Sequence, residues 1–189
     1  MSYWPQSSLM PRHQLTISHW SANGVLAGAG NGTAPFSGGA GNVNRIYAYP
    51  FSLQRMMLVQ RAYWFNGTTV AGNIKVGIYG TNPSNPSNGQ EVKLTETATT
   101  AQAGTSAIQS ASIGPINLPP GLYWAAILTS LATTFFRASN NAPFSTEEAR
   151  HMGCYKKDEA GFALPASLAT PHAVDFILPV FGLATQTVI

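Results

Sequence analysis

Residues 73–94 read NIKVGIYGTNPSNPSNGQEVKL, and this stretch decides the fold. It opens on an alternating run. Ile74, Val76 and Ile78 fall on one face of an extended chain, and Lys75 and Tyr79 fall on the other. A segment built of Asn, Pro, Ser and Gly follows, and these residues favour turns through local hydrogen bonding or through a fixed or permissive φ. Alternation then resumes, with Val92 and Leu94 inward and Lys93 and Thr95 outward. The stretch predicts two antiparallel strands joined by a polar loop.

The same grammar extends in both directions. Upstream, VNRIYAYPFSL (43–53) reads as a strand, with Pro50 marking an edge or bend. RMMLVQRAYWF (55–65) is a near-continuous apolar run of strand length, and Asn66-Gly67 supplies a turn after it. Downstream, TSAIQSASI (105–113) is a weaker strand and LPPG (118–121) a tight turn. LYWAAILTSL (122–131) is apolar on both faces, and TTFFRAS (133–139) and HAVDFILPVFGL (172–183) are strand-like. STEEARHMG (145–153) reads as a short helix, with Ser145 as N-cap, Glu148 completing a capping box and Gly153 as a stop. About nine strand candidates at short spacing, with at most one short helix, predict an all-β antiparallel sandwich or jelly-roll-like domain. A parallel sheet would need crossover helices for which the chain has no sequence.

Two regions depart from this texture. Residues 1–41 include SANGVLAGAGNGTAPFSGGAG (21–41), where backbone ordering costs the most entropy, and they are read as an extended Gly-rich N-terminal arm. The sandwich domain then spans 42–189, with an irregular excursion at about 140–171.

Charged residues are 9% of the 189, against roughly 25% in ordinary soluble proteins. So little charge suits a surface covered by neighbouring copies. Net charge is +3, but the basic residues are scattered and form no stripe, so no nucleic-acid partner is expected. Cys154 is the only cysteine, which excludes an internal disulfide and a multi-cysteine zinc site. MSYWPQSSLMPRHQL (1–15) lacks the pattern of a signal peptide, and no apolar run has the length of a membrane span, so neither export nor a membrane partner is expected.

Groups for catalysis are few. His172 and Asp175 stand three apart in a strand, on opposite faces, which argues against a dyad. Glu147, Glu148 and His151 offer half of a helical metal site without its other half. Cys154 has no neighbouring base. No phosphate loop, nucleophile elbow or zinc-protease motif occurs. No enzyme activity, metal or cofactor is expected. Aromatic residues are the richer signal. Alternation sends one ring of Tyr63-Trp64 and one of Tyr123-Trp124 outward, to a subunit contact or a sugar.

AYWFNGTTVAGNIKVGIYG (62–80) and LPPGLYWAAI (118–127) together resemble a β-sandwich module that recurs in tailed-bacteriophage virion proteins. The resemblance covers the middle third of the chain. It implies a non-enzymatic virion structural protein that cements or decorates a capsid or forms part of a tail, as a homotrimer or symmetric array. It implies as partners other copies and virion proteins such as the major capsid protein, with assembly in the host cytoplasm. Within that reading Tyr3, Trp4, Trp20 and Phe36 are the expected anchors of the arm. The alternative is a glycan- or host-receptor-binding module of a fibre or tail tip, with Trp64, Tyr79 and Tyr123 as stacking platforms.

Overall fold

The computed structural model describes residues 25–28, 35–37, 43–81, 91–131, 134–136, 155–168 and 181–184. The described residues are all-β, in antiparallel sheets, without a helix. Thirteen strands follow in chain order. They are β1 (Val25–Gly28), β2 (Pro35–Ser37), β3 (Arg45–Leu53), β4 (Met57–Phe65), β5 (Asn73–Thr81), β6 (Glu91–Glu96) and β7 (Thr100–Ala101). The chain continues through β8 (Ile108–Leu118), β9 (Gly121–Thr129), β10 (Thr134–Phe136), β11 (Tyr155–Asp158), β12 (Ser167–Leu168) and β13 (Phe181–Ala184).

A four-stranded sheet has the order β1-β13-β4-β8. A seven-stranded sheet has the order β11-β3-β9-β5-β6-β12, with β7 also paired to β5. β2 and β10 form a separate ribbon. The expected alternation of β5 holds. Ile74, Val76 and Ile78 enter the main core, with Tyr47, Tyr49, Phe51, Ala125 and Ile127 from the neighbouring strands. Ala62, Trp64, Ile113, Phe181 and Leu183 meet them from the four-stranded sheet. A hydrogen bond from the Tyr49 hydroxyl to the Phe181 carbonyl joins the two layers.

β9 is apolar on both faces because both are covered. Tyr123, Ala125 and Ile127 face the main core. Ala126 and Leu128 face a second cluster with Ile46, Ala48, Tyr79, Leu164 and Leu168. Pro50 in β3 lies beyond the stretch that β11 pairs, so its missing N–H leaves no gap in that ladder.

One face assignment differs from the reading of β6. The register between β5 and β6 slips between Ile78 and Tyr79, so that Ile78 opposes Thr95 while Tyr79 opposes Lys93. Leu94 is thus the extra residue of a bulge, which flips the alternation after it. Thr95 turns inward, and its hydroxyl donates to the Ile113 carbonyl at 2.9 Å. Of TSAIQSASI, read as a weak strand, Ile108–Ile113 open β8, the longest described strand with 11 residues, while Thr105–Ala107 form the turn before it.

β1 and β2 fall inside the segment read as an arm. β1 pairs with β13, and β2 pairs with β10. Part of that segment therefore borders sheets of its own chain. The expected helix at Ser145–Gly153 and the polar loop at 82–90 lie outside the described residues.

Candidate functional site

The turns between β3 and β4 and between β8 and β9 sit at one end of the sandwich, since Leu53 opposes Gly121 and Met57 opposes Leu118. Pro119 and Pro120 fix the second turn. Beside it lies a groove of about 450 Å³, walled by Gly80, Leu94, Pro119, Pro120, Leu122 and Tyr123. A β-carbon at Gly80 would stand 3.0 Å from Leu94 Cδ1, so any larger residue there would push Leu94 aside. Among the described residues, no charged side chain lines the groove.

The rim is open and largely apolar, with Thr81 and Asn117 beside Leu94, which is 40% exposed, and Leu122, which is 46% exposed. Met56, in the turn between β3 and β4 at the same end, is 65% exposed. The bulge in β6 sets Leu94 on the rim, since the extra residue is freed from regular pairing. Tyr123 forms the groove wall with its ring stacked on Phe51, centroids 5.6 Å apart. Its hydroxyl donates to the Pro119 carbonyl at 2.8 Å, so the ring is held from both sides. Burial also pushes the Tyr123 phenol above its ordinary range.

The three rings expected to stack on sugars separate clearly. Trp64 and Tyr79 are fully buried and present no face to solvent. Trp64 lies in the main core, where its indole N–H meets no acceptor among the described residues. Tyr79 lies in the second cluster and donates to the Pro165 carbonyl at 2.9 Å. Tyr123 alone of the three borders an open groove. Of the expected anchors, Phe36 lies in β2 opposite Phe135 of β10. Tyr3, Trp4 and Trp20 lie outside the described residues. The outward ring of Tyr123-Trp124 is Trp124, and it packs against the second cluster rather than standing bare. Tyr63, the outward ring of its pair, is buried enough that its phenol is pushed well above the ordinary range.

The far end of the sandwich is held by carboxamides. Asn66 is fully buried. Its side-chain amide donates to the Ala103 carbonyl at 2.6 Å and to Gln109 Oε1 at 3.1 Å, and its oxygen accepts from Gln102 Nε2 at 2.7 Å. Gln102 also accepts from the Ala71 amide, and Gln109 donates to the Ala101 carbonyl. This network is neutral and tied off internally, which makes it a fastening rather than a site.

On the outer face of the seven-stranded sheet, Glu96 accepts from Lys75 at 3.2 Å and from Lys93 at 2.9 Å. Burial raises the Glu96 carboxyl, but the hydrogen bonds and charges of the two lysines together outweigh it and leave the group below its ordinary range. Lys93 also donates to the Leu164 carbonyl at 2.9 Å. No group of three His, Cys, Asp or Glu suited to a metal occurs among the described residues. His172, Asp175, Glu147, Glu148, His151 and Cys154 all lie outside them. The end groove and its rim were not legible as a site beforehand, because Leu94 reads as an ordinary inward residue until the bulge is known. No family model matches the chain, and no curated protein aligns with it significantly.

Proposed function

We propose that the chain is a non-enzymatic structural protein of a tailed-bacteriophage virion, acting through contacts between subunits. It would cement or decorate the capsid, or form part of the tail. The observation that carries the contact role is the open groove, lined by no charged side chain among the described residues, with Leu94 and Leu122 exposed on its rim. Covering such a rim yields about 25 cal/mol per Å² of apolar surface before the costs of association. A chain with 9% charged residues has little long-range repulsion to oppose close packing of copies. The virion setting rests on the resemblance of residues 62–80 and 118–127, which form the turn-linked strands β4, β5 and β9 around the main core. The partners are other copies, in a homotrimer or symmetric array, and virion proteins such as the major capsid protein.

The testing measurement is the native mass of the full chain across micromolar concentrations. A trimer or larger closed assembly is expected, and a single-chain mass throughout would overturn self-assembly. Tyr123 at the groove wall is the one observation that favours the glycan-binding alternative. A glycan array probed with the same sample separates the two readings, and it is expected to stay blank.

A further inference from the structure

One short segment does an unusual amount of closing. Residues 155–168 begin as β11, paired with β3 at one edge of the seven-stranded sheet. They end as β12, paired with β6 at the opposite edge. Between the two, the segment crosses the outer face and sets Phe162, Leu164 and Leu168 on the second cluster. The same strap therefore caps both edges of the sheet and roofs its apolar outer face. Uncovered, it would leave two open ladders and the surface of Ile46, Ala48, Tyr79, Ala126 and Leu128. Bare edges of that kind pair readily with other chains.

The attachment is made of a few separable bonds. Arg45 grips Asp158 through two of its guanidinium nitrogens, Nε and Nη2, at the first edge. The consecutive carbonyls of Leu164, Pro165 and Ala166 accept from Lys93 Nζ, Tyr79 Oη and the Lys93 amide. All these donors belong to the strands that the strap covers, and β11 and β12 stand at the two margins of the sheet rather than between other strands. The connections are long: about 18 residues separate Phe136 from Tyr155, enough for ~60 Å of extended chain, and about 12 separate Leu168 from Phe181, enough for ~40 Å.

We propose that residues 155–168 are exchanged between copies of this chain, each strap closing the seven-stranded sheet of a neighbour. The partner is a second copy, because every contact the strap makes in its own chain is available unchanged on a neighbour's sheet. Exchange of identical elements conserves those contacts, so linker reach and local concentration set the balance. The dense packing of an assembled array supplies that concentration. This inference rests on the reading that the chain works through contacts between subunits, and it names which segment makes one of them.

Val92 and Ser167 stand directly opposite in the β6–β12 pair. Opposed antiparallel positions lie about 4.5–5.5 Å apart at the α-carbons, within reach of a disulfide. The test uses full chains carrying Cys154→Ser, so that no native thiol competes. One chain carries Val92→Cys and a second carries Ser167→Cys. They are mixed under denaturant, refolded together, oxidised and mapped by peptide mass spectrometry. A double variant carrying both cysteines reports the link within one chain, and native mass reports assembly in each sample. The expected result is an assembled mixture in which most of the linked material joins position 92 of one chain to position 167 of the other. Links of 92 to 92 or 167 to 167 are expected to be at least tenfold rarer. An assembled mixture without the 92–167 link, beside a double variant linked only within its own chain, overturns exchange and leaves the subunit-contact reading standing. Failure of both samples to form the link overturns the docking of the strap itself. A monomeric parent chain overturns both readings.

Discussion

Leu164 occupies the space that a side chain at Gly77 would need. A β-carbon on Gly77 would lie 2.8 Å from Leu164 Cδ1, closer than carbon atoms approach in folded proteins. Gly77 sits in β5, with Leu164 roofing it from the strap. The Gly77→Ala variant is therefore expected to push the strap outward and lose about 1–3 kcal/mol of stability, by overpacking. The urea midpoint checks this, and an unchanged midpoint would show that the strap yields freely. Hydrogen exchange should rise at residues 162–168 before it rises in β9.

The Glu96 carboxyl titrates below its ordinary range because Lys93 and Lys75 outweigh its burial. A folded-state value lowered in this way stabilises the protein above the ordinary carboxylate range, and the benefit is lost as pH falls through the folded value. Glu91 behaves oppositely, since burial raises its carboxyl, so the total pH curve mixes the two. Comparing the parent chain with Glu96→Gln isolates one of them. The variant is expected to be less stable by about 0.5–1 kcal/mol at neutral pH, in keeping with partly exposed ion pairs. The gap should close as pH falls through and below the ordinary carboxylate range, where the parent carboxyl itself becomes neutral. A gap that stays constant across that range would remove the two lysines from the account.

Asn66 holds three partners inside the far end of the sandwich. Removing its amide takes a donor from the Ala103 carbonyl and from Gln109 Oε1, which keeps the Ala103 amide, and an acceptor from Gln102 Nε2. The Asn66→Ala variant is expected to cost about 2–4 kcal/mol, at roughly one kcal/mol for each lost bond. Thermal unfolding followed by circular dichroism measures it. A loss within error would mean that water replaces the amide fully.

Leu122 is 46% exposed on the groove rim and contributes little to the core. The Leu122→Glu variant is expected to keep its melting temperature within about 2 °C, as surface substitutions do. Its assembled fraction should fall at least tenfold, since a carboxylate buried in an apolar contact is strongly unfavourable. Native mass and thermal unfolding on one sample separate the two effects. Full assembly of this variant would move the contact away from the groove.

Much of the sheet structure could be read from periodicity because the inward sets are strictly spaced. Ile74, Val76 and Ile78 lie where alternation puts them, and the apolar run within 122–131 correctly marks a strand whose residues 125–128 are covered on both faces. The orientation of Thr95 could not be read, because a bulge arises from the pairing of two strands and leaves no trace in one of them. The second cluster was hidden for a similar reason. Its roof, Phe162, Leu164 and Leu168, comes from an irregular segment with no period to follow. Trp64 and Tyr79 illustrate the limit for sites. An aromatic residue in a strand has two candidate faces, and only knowledge of what covers each face decides between core and surface.

The crossing of residues 155–168 from edge to edge also constrains the order in which this protein can form. β11 pairs with β3 and β12 with β6, and the crossing between them has its full template only once β3, β9, β5 and β6 lie side by side. Those four strands all precede the strap in the chain, so a ribosome releases the closing segment after the sheet it closes. Contacts between such distant parts of a sequence are slow to form. During synthesis the nascent sheet therefore passes through an interval with both margins open. That interval, rather than the finished fold, is where misassociation between growing chains is most strongly favoured.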